Sequence, residues 1–323
     1  MKKTLLFFTG LLILAISCKK NDLSLKAKNN DVPQYVYDRL SKENYSTYNV
    51  VAHDGGYIVE GDLFFPQEYF SDSSKAGWNN RVSKAGNIFV ETLESSLPKP
   101  NTIMSNDKQG ISEFNPADPI AHYRTNHYIS KHGASVRGIW VNIYPGFPSV
   151  YEQALGEACQ RYNNLDIGIH FSTVSTSNPQ NAATPVDINI KMDNNLPSLG
   201  LSGGWPNRNG DFPAYPYNTI SLNVNALGTN AAQSYLATVM AHEIGHMLGF
   251  RHTDYFNRAY SGCPYDSNLP GGYNEGTTRT GAVHIPGTPT TEDANSWMLA
   301  CIGSGVNRPF TSNDVTALVT LFP

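Results

Sequence analysis

Between residues 242 and 252 the chain reads His-Glu-Ile-Gly-His-Met-Leu-Gly-Phe-Arg-His, and this stretch limits what the rest of the molecule can fold into. Two histidines four apart fall on one stripe of a helix, because four steps of ~100° overshoot a turn by only ~40°. Both imidazoles therefore reach one metal ion. Glu243 lies three residues before His246 and leans to the same side, where it can polarise a water on that ion without being a ligand. A helix does not easily supply a third ligand at a tetrahedral angle, so the chain must turn away first. Gly249 permits that turn, since glycine tolerates the left-handed conformation that ends helices, and His252 can then swing back.

Zinc suits this donor set. Three neutral imidazoles leave its fourth position open for water, which distinguishes a catalytic site from a closed structural one. The ion lowers the pKa of its water to roughly 7 and polarises a carbonyl while a carboxylate takes the proton, the chemistry of amide hydrolysis. A bare H-E-x-x-H is a modest signal. Gly249 and His252 at these offsets, followed by Met298 in the turn-like Ser296-Trp297-Met298, make it a strong one.

On those residues the sequence resembles the metzincin clan of zinc endopeptidases, and HEIGH followed by GFRHTD is similar to the dual-action HEIGH metallopeptidases of bacteria. The resemblance runs from about residue 135 to 323. It implies that His242, His246 and His252 bind Zn2+, that Glu243 is the general base and then acid, and that Met298 is the methionine of the turn beneath the metal. Two positions depart from the pattern. Thr253-Asp254 follow the third histidine, unlike the best-known subfamilies, and Ala300 stands where some relatives place a tyrosine two residues after the methionine. Tyr255, Tyr260 and Tyr265 are candidates for an oxyanion-stabilising phenol, and nothing in the sequence selects among them.

The N-terminus sets the compartment. Lys2-Lys3 precede an apolar run from Thr4 to Ile16, too short to cross a bilayer as ~20-residue helices do. Ala15-Ile16-Ser17-Cys18 resembles a bacterial lipobox, so residues 1–17 read as a lipoprotein signal peptide and Cys18 as the acylated first residue of the mature protein. The alternative is an ordinary signal peptide with a coincidental cysteine. Residues 18–31 form a polar tether, and acylation with two or more chains gives stable anchoring. The expected location is the bacterial cell envelope, lipid-anchored in the outer membrane and facing the periplasm or the outside.

At 323 residues there is room for one or two domains. A formal charge of −4, without basic clusters beyond the N-terminus, argues against a nucleic-acid partner. Charged residues make up 15%, well under the ~25% usual in soluble proteins, with Asn, Ser, Gly and Tyr in their place, a balance common in exported chains. Cys159 sits in an apolar helical stripe with Tyr151, Leu155, Ala158 and Tyr162 and reads as a buried thiol. Cys263 and Cys301 follow the third histidine and Met298 respectively. They are expected to form a disulfide closing a loop of ~38 residues, contributing roughly 4 kcal/mol on the chain-entropy account.

Taken in order, Val32 to Lys42 has helical spacing, and Asn49 to Phe65 reads as a hairpin about Asp54-Gly55-Gly56. Residues 32–134 form an N-terminal region packed against or covering the enzyme, where relatives often carry a pro-segment. It holds no cysteine to cap the zinc. Asp62, beside Gly61, can be drawn as an inhibitory carboxylate, but an Asp next to Gly is far more often a turn residue. His122, His127 and His132 recur every five residues, matching no single face, and read as surface or packing residues rather than a second metal site.

Residues 135–323 form the catalytic domain. Strands are expected at Ile139 to Tyr144, Ile167 to Val174, Val186 to Met192 and Asn218 to Val224, with a helix from Ser149 to Asn163, Ser149 being its N-cap. Leu196 to Tyr217 contains Leu199-Gly-Leu-Ser-Gly-Gly-Trp205 and is either a backbone edge that binds substrate as an added strand or a mobile surface loop. Asn230 is the expected cap of the active helix. Phe310 to Phe322 reads as a terminal helix capped by Thr311 or Ser312. The fold class is α+β, a zincin-like twisted mixed sheet with helices on one side above a loop-rich lower half. The expected activity is hydrolysis of internal bonds in protein or peptide substrates by a monomer. The alternative is an anchored peptide- or glycoprotein-binding lipoprotein with a vestigial cleft, a reading weakened by the survival of every ligand and of Glu243.

Overall fold

The structure is a computed structural model that describes residues 32–42, 47, 50–53, 55–59, 63–70, 122–181, 185–263, 274–275 and 281–323. The signal, the tether, Asp62 and Tyr265 lie outside them. Among the described residues no helix is long and apolar enough to cross a membrane.

The N-terminal part consists of α1 (Gln34–Lys42), β1 (Val51–His53), β2 (Gly56–Val59), β3 (Leu63–Pro66) and the single-turn α2 (Gln67–Phe70). The three strands make an antiparallel meander in the order β1-β2-β3. Val51 pairs with Ile58 and His53 with Gly56, and Gly55 supplies the positive φ that closes the hairpin. Their apolar residues join α1 and α2 in one small core of Val36, Leu40, Tyr57, Val59, Phe65, Tyr69 and Phe70, and Trp205 from far down the chain completes it.

The larger part begins with β4 (Tyr123–Arg124), then β5 (Arg137–Ile143), α3 (Ser149–Asn163), β6 (Ile169–Val174), β7 (Ile188–Met192), β8 (Gly200–Ser202) and β9 (Thr219–Leu222). After the short α4 (Val224–Leu227) come α5 (Gln233–Leu248), β10 (Val283–His284) and α6 (Ser312–Leu321). Five strands form a mixed sheet in the order β6-β5-β7-β9-β8, parallel throughout except for the antiparallel edge strand β8. Alternation makes the two faces different. Ile139, Val141, Ile143, Ile188, Ile190, Ile220 and Leu222 share one core with α3 and α5. Beside them Asn142, Asn189 and Asn218 form a buried ladder: Asn142 Nδ2 donates to Asn189 Oδ1 at 3.2 Å, Asn189 Nδ2 to Asn218 Oδ1 at 3.4 Å, and Asn218 Nδ2 to Asp187 O at 2.9 Å.

The helix starts differ from expectation. Ser149 is the first residue of α3, with Pro148 in the cap position at φ −54°, already suited to the first turn. Helix α5 begins at Gln233 rather than after Asn230, and no side chain caps it. Its first turn is held by Tyr235 and Leu236 N–H groups donating to Ala232 O, and burial of almost the whole cylinder sets its position in place of local capping. The terminal helix follows the expected chemistry: Thr311 accepts from Asp314 N while Asp314 reaches back to Thr311 N.

Residues 122–134, on the far side of the boundary drawn at 134, pack with the larger part. Ile129 belongs to its core, β4 pairs with β10, and Thr125 and Ile129 N–H groups donate to Gly249 O and Leu248 O.

Candidate active site

Helix α5 is apolar on nearly every side: from Tyr235 to Leu248 only His242 is not fully buried, as expected of a helix running through a core. Two glycines shape its end. A Cβ on Gly245 would stand 2.5 Å from Met298 Sδ, so the helix and Met298 meet only because this position lacks a side chain. Gly249 takes φ +108°, and a Cβ there would also meet the backbone of His127 and Tyr128 at 2.9 Å. Its N–H donates to His246 O and that of Phe250 to Gly245 O, the paired bonds of a left-handed helix end. Arg251 N then donates to Tyr123 O, which locks the returning chain beside β4 and delivers His252 to the metal side.

His242, His246 and His252 bring one nitrogen each to within 4.8 Å of one another, a set able to hold a metal ion. The Nε2 atoms of His242 and His246 are 3.1 Å apart, against roughly 3.3 Å for two nitrogens at ~2.05 Å from a tetrahedral zinc. The opposite ring nitrogens decide the tautomers. His242 Nδ1 donates to Trp297 O at 2.8 Å and His246 Nδ1 to Phe250 O at 2.9 Å, and a carbonyl oxygen only accepts. His252 Nδ1 donates to Glu275 Oε1 at 2.7 Å. Each ring therefore carries its proton on Nδ1 and presents Nε2 as the acceptor that a metal takes. Burial, reinforced by the adjacent imidazoles, lowers His242 to about 3 and His246 well below its ordinary value. Both rings are thus neutral at physiological pH, as ligation requires.

Glu243 is 6% exposed and faces the edge strand. A Cβ on Gly200 would be 2.5 Å from Glu243 Oε1, so β8 approaches the carboxylate as closely as backbone can. Of the two sequence readings for Leu196 to Tyr217, the described structure has the ordered edge: Gly200 pairs with Leu222 and Ser202 with Ile220. Beyond it Trp205 is buried edge-on to the His246 ring, centroids 5.1 Å apart. Leu201 packs with Leu196 and Ile58, and His53 Nε2 lies 2.8 Å from Asp193 Oδ2. The N-terminal strands therefore lie on the outer side of β8.

Beneath the helix, Met298 is fully buried. Met298 O accepts from Thr253 N, next to the third histidine. Cys263 and Cys301 are bonded, with Cα atoms 5.4 Å apart. The Cys159 thiol is buried, and burial pushes it up to about 12. Of the tyrosine candidates, Tyr255 is buried against Tyr123 with Arg251 over its ring, and Tyr260 is 38% exposed.

Sequence reasoning missed Glu275. Burial alone would push its carboxyl up, but His252, Arg258 and Arg251 outweigh that and hold it at about 2. Arg251 Nη2 and Arg258 Nε each lie 3.3 Å from its oxygens. The only signal was an acidic residue among glycines and threonines, which no spacing rule selects. Of the surface and packing alternatives for His122 the structure has packing: it is 1% exposed and bonded to Asp314.

Three imidazoles converging beside a buried carboxylate form a set able to hold one metal ion. The chain belongs to the dual-action HEIGH metallo-peptidase family, whose profile matches residues 103–322. It is a mixed α/β metallopeptidase. Two structures of myroilysin are similar to it at 17% identity. One covers 61% of this chain and 94% of its own with a TM-score of 0.36; the other covers 62% and 98% with a TM-score of 0.39. No curated protein matches the chain.

Proposed function

We propose that this protein is a zinc-dependent endopeptidase of metzincin type, cleaving internal peptide bonds of periplasmic or extracellular proteins. The observation that carries this reading is the common tautomer of the three ligands, each held by an oxygen at Nδ1 so that the Nε2 atoms face one point. Residue types and spacing fit zinc. When bound, zinc supplies Lewis acidity toward the scissile carbonyl and toward a water.

The chain's own residues do the rest. Glu243 accepts the proton of the attacking water and, now a carboxylic acid, returns it to the departing amine nitrogen. Gly200 lets the backbone of β8 approach Glu243 closely. Met298 supports the metal floor in the sense of a Met turn, its contact with Gly245 fixing the height of α5. Cys18 anchors the protein in the envelope, the chain before residue 122 acts as the N-terminal region of the catalytic domain, and the Cys263–Cys301 bond pins the returning loop.

The test uses Glu243→Gln. The variant should retain one equivalent of zinc and lose cleavage of a denatured casein substrate by more than about a thousandfold. Turnover at the parental rate would refute the mechanism. A parent chain that purifies without metal, and binds none when offered zinc, would refute the class.

A further inference from the structure

Outside the metal centre, His122, Asp293 and Asp314 also bring three ligand-capable atoms within 4.8 Å of one another. The bonding around them is not that of an ion site. Asp293 Oδ2 already accepts from Thr311 Oγ1 at 2.8 Å and Asn313 Nδ2 at 3.0 Å. Asp314 Oδ2 accepts two backbone N–H groups, from Thr311 at 2.8 Å and Trp297 at 3.2 Å, and Asp314 Oδ1 accepts from His122 Nε2 at 2.6 Å. Carboxylates saturated with N–H and O–H donors have their lone pairs committed to hydrogen bonds. Asp314 and His122 are both essentially inaccessible, so the bond between them is made without competition from water.

The donor that matters is Trp297 N. The same residue's carbonyl accepts from His242 Nδ1, and its indole Nε1 donates to Ala241 O on α5. One residue further, Met298 N donates to Ser296 Oγ and Met298 O accepts from Thr253 N, adjacent to His252. The turn at 296–298 thus carries the orienting contact of the first ligand and the backbone tie of the third. We propose that Asp314, with His122 as its partner, is a positioning residue for the metal centre, holding this turn so that the His242 ring points at the metal. The inference rests on the reading of His242 as a ligand. His122 reaches Asp314 across 192 residues, and its own carbonyl accepts from Ile285 N, so the pair also ties the β4–β10 ribbon to α6.

A capping carboxylate also stabilises its helix, so the test must separate orientation from stability. Asp314→Asn replaces one acceptor oxygen with a donor and sets it against either His122 or the two amides. Asp293→Asn disturbs the same helix start and meets the neighbouring turn only at Asn295 N, not at Trp297. Three quantities are measured on the full chain: zinc dissociation by chelator competition, the visible spectrum of the cobalt-substituted protein, and the melting temperature without metal. Asp314→Asn should weaken zinc by roughly ten- to a hundredfold and alter the cobalt spectrum, whereas Asp293→Asn lowers the melting temperature and leaves both metal readouts unchanged. His122→Gln should move the metal readouts in the same direction, and it is the deciding variant if Asp314→Asn does not fold. Parental zinc affinity and cobalt spectrum in the folded Asp314 variant, or in His122→Gln in its place, would overturn the proposal and leave a helix cap. A parent chain that takes up no metal would instead overturn the peptidase reading.

Discussion

Glu275 offers the sharpest test of how the third histidine is held. Its carboxylate is 4% exposed, accepts His252 Nδ1 at 2.7 Å, and faces Arg251 and Arg258. Glu275→Ala removes the acceptor that fixes the His252 tautomer and the carboxylate that faces the Arg251 and Arg258 guanidiniums. Loss of an outer hydrogen-bond partner typically weakens metal binding ~10–100-fold, or about 1.4–2.7 kcal/mol. Breaking one side of a buried ion pair costs about 3–5 kcal/mol of folding stability; Arg258, partly exposed and aligned as an ion pair without hydrogen-bond geometry, adds little to that figure. Glu275→Gln keeps an acceptor for Nδ1 but loses the charge, so its zinc affinity should stay within about tenfold of the parent while its stability falls. Equilibrium competition with a chromophoric chelator measures the first quantity, and melting with zinc in excess and after chelation measures the second. An alanine variant that melts early yet binds zinc as tightly as the parent would show that Glu275 serves only the arginines.

Two further outcomes follow from the geometry. Gly200→Ala inserts a methyl 2.5 Å from Glu243 Oε1; displacing the base should lower kcat by about a hundredfold with zinc content unchanged, and steady-state kinetics beside metal analysis would expose an unaltered kcat. The metal-free chain should lose stability in acid. His242 has a folded pKa of about 3, below its unfolded value, so the unfolded chain takes up the proton first. That contribution is complete above about pH 6.5 and is lost progressively toward about pH 3, amounting to about 2 kcal/mol by pH 5 from 1.5 units at 1.36 kcal/mol each. Chemical denaturation of the chelated protein at pH 7 and pH 5 would contradict this if the midpoints coincided.

The arrangement of the three histidines and Glu243 was legible because it depends on short-range rules. Helical spacing places His242 and His246 on one stripe, and a glycine ends the helix three residues later, where φ reaches +108°. The alternating strands and the Thr311 cap were legible for the same reason. The strand at Gly200–Ser202 was legible only as one of two readings, because Gly-Leu-Ser is too short to show alternation and its pairing is imposed by β9. The burial of Trp205 against His246 depends on a small core whose other members come from residues 32–70, and no local pattern announces it.

What the residues determined unaided is the chemistry: a metal-ligating helix, a base one position from its first ligand, and a turn that returns a third imidazole. Spacing along one chain segment is enough for that, since helix geometry converts sequence offsets directly into angles. The tertiary structure alone decided which oxygens set the tautomers of His242 and His252. Trp297 and Glu275 lie 55 and 23 residues from the rings they orient, and Asp314 is 192 residues from the histidine it binds. Their places follow from how the loop-rich lower half packs beneath α5, where each buried polar group must find a partner.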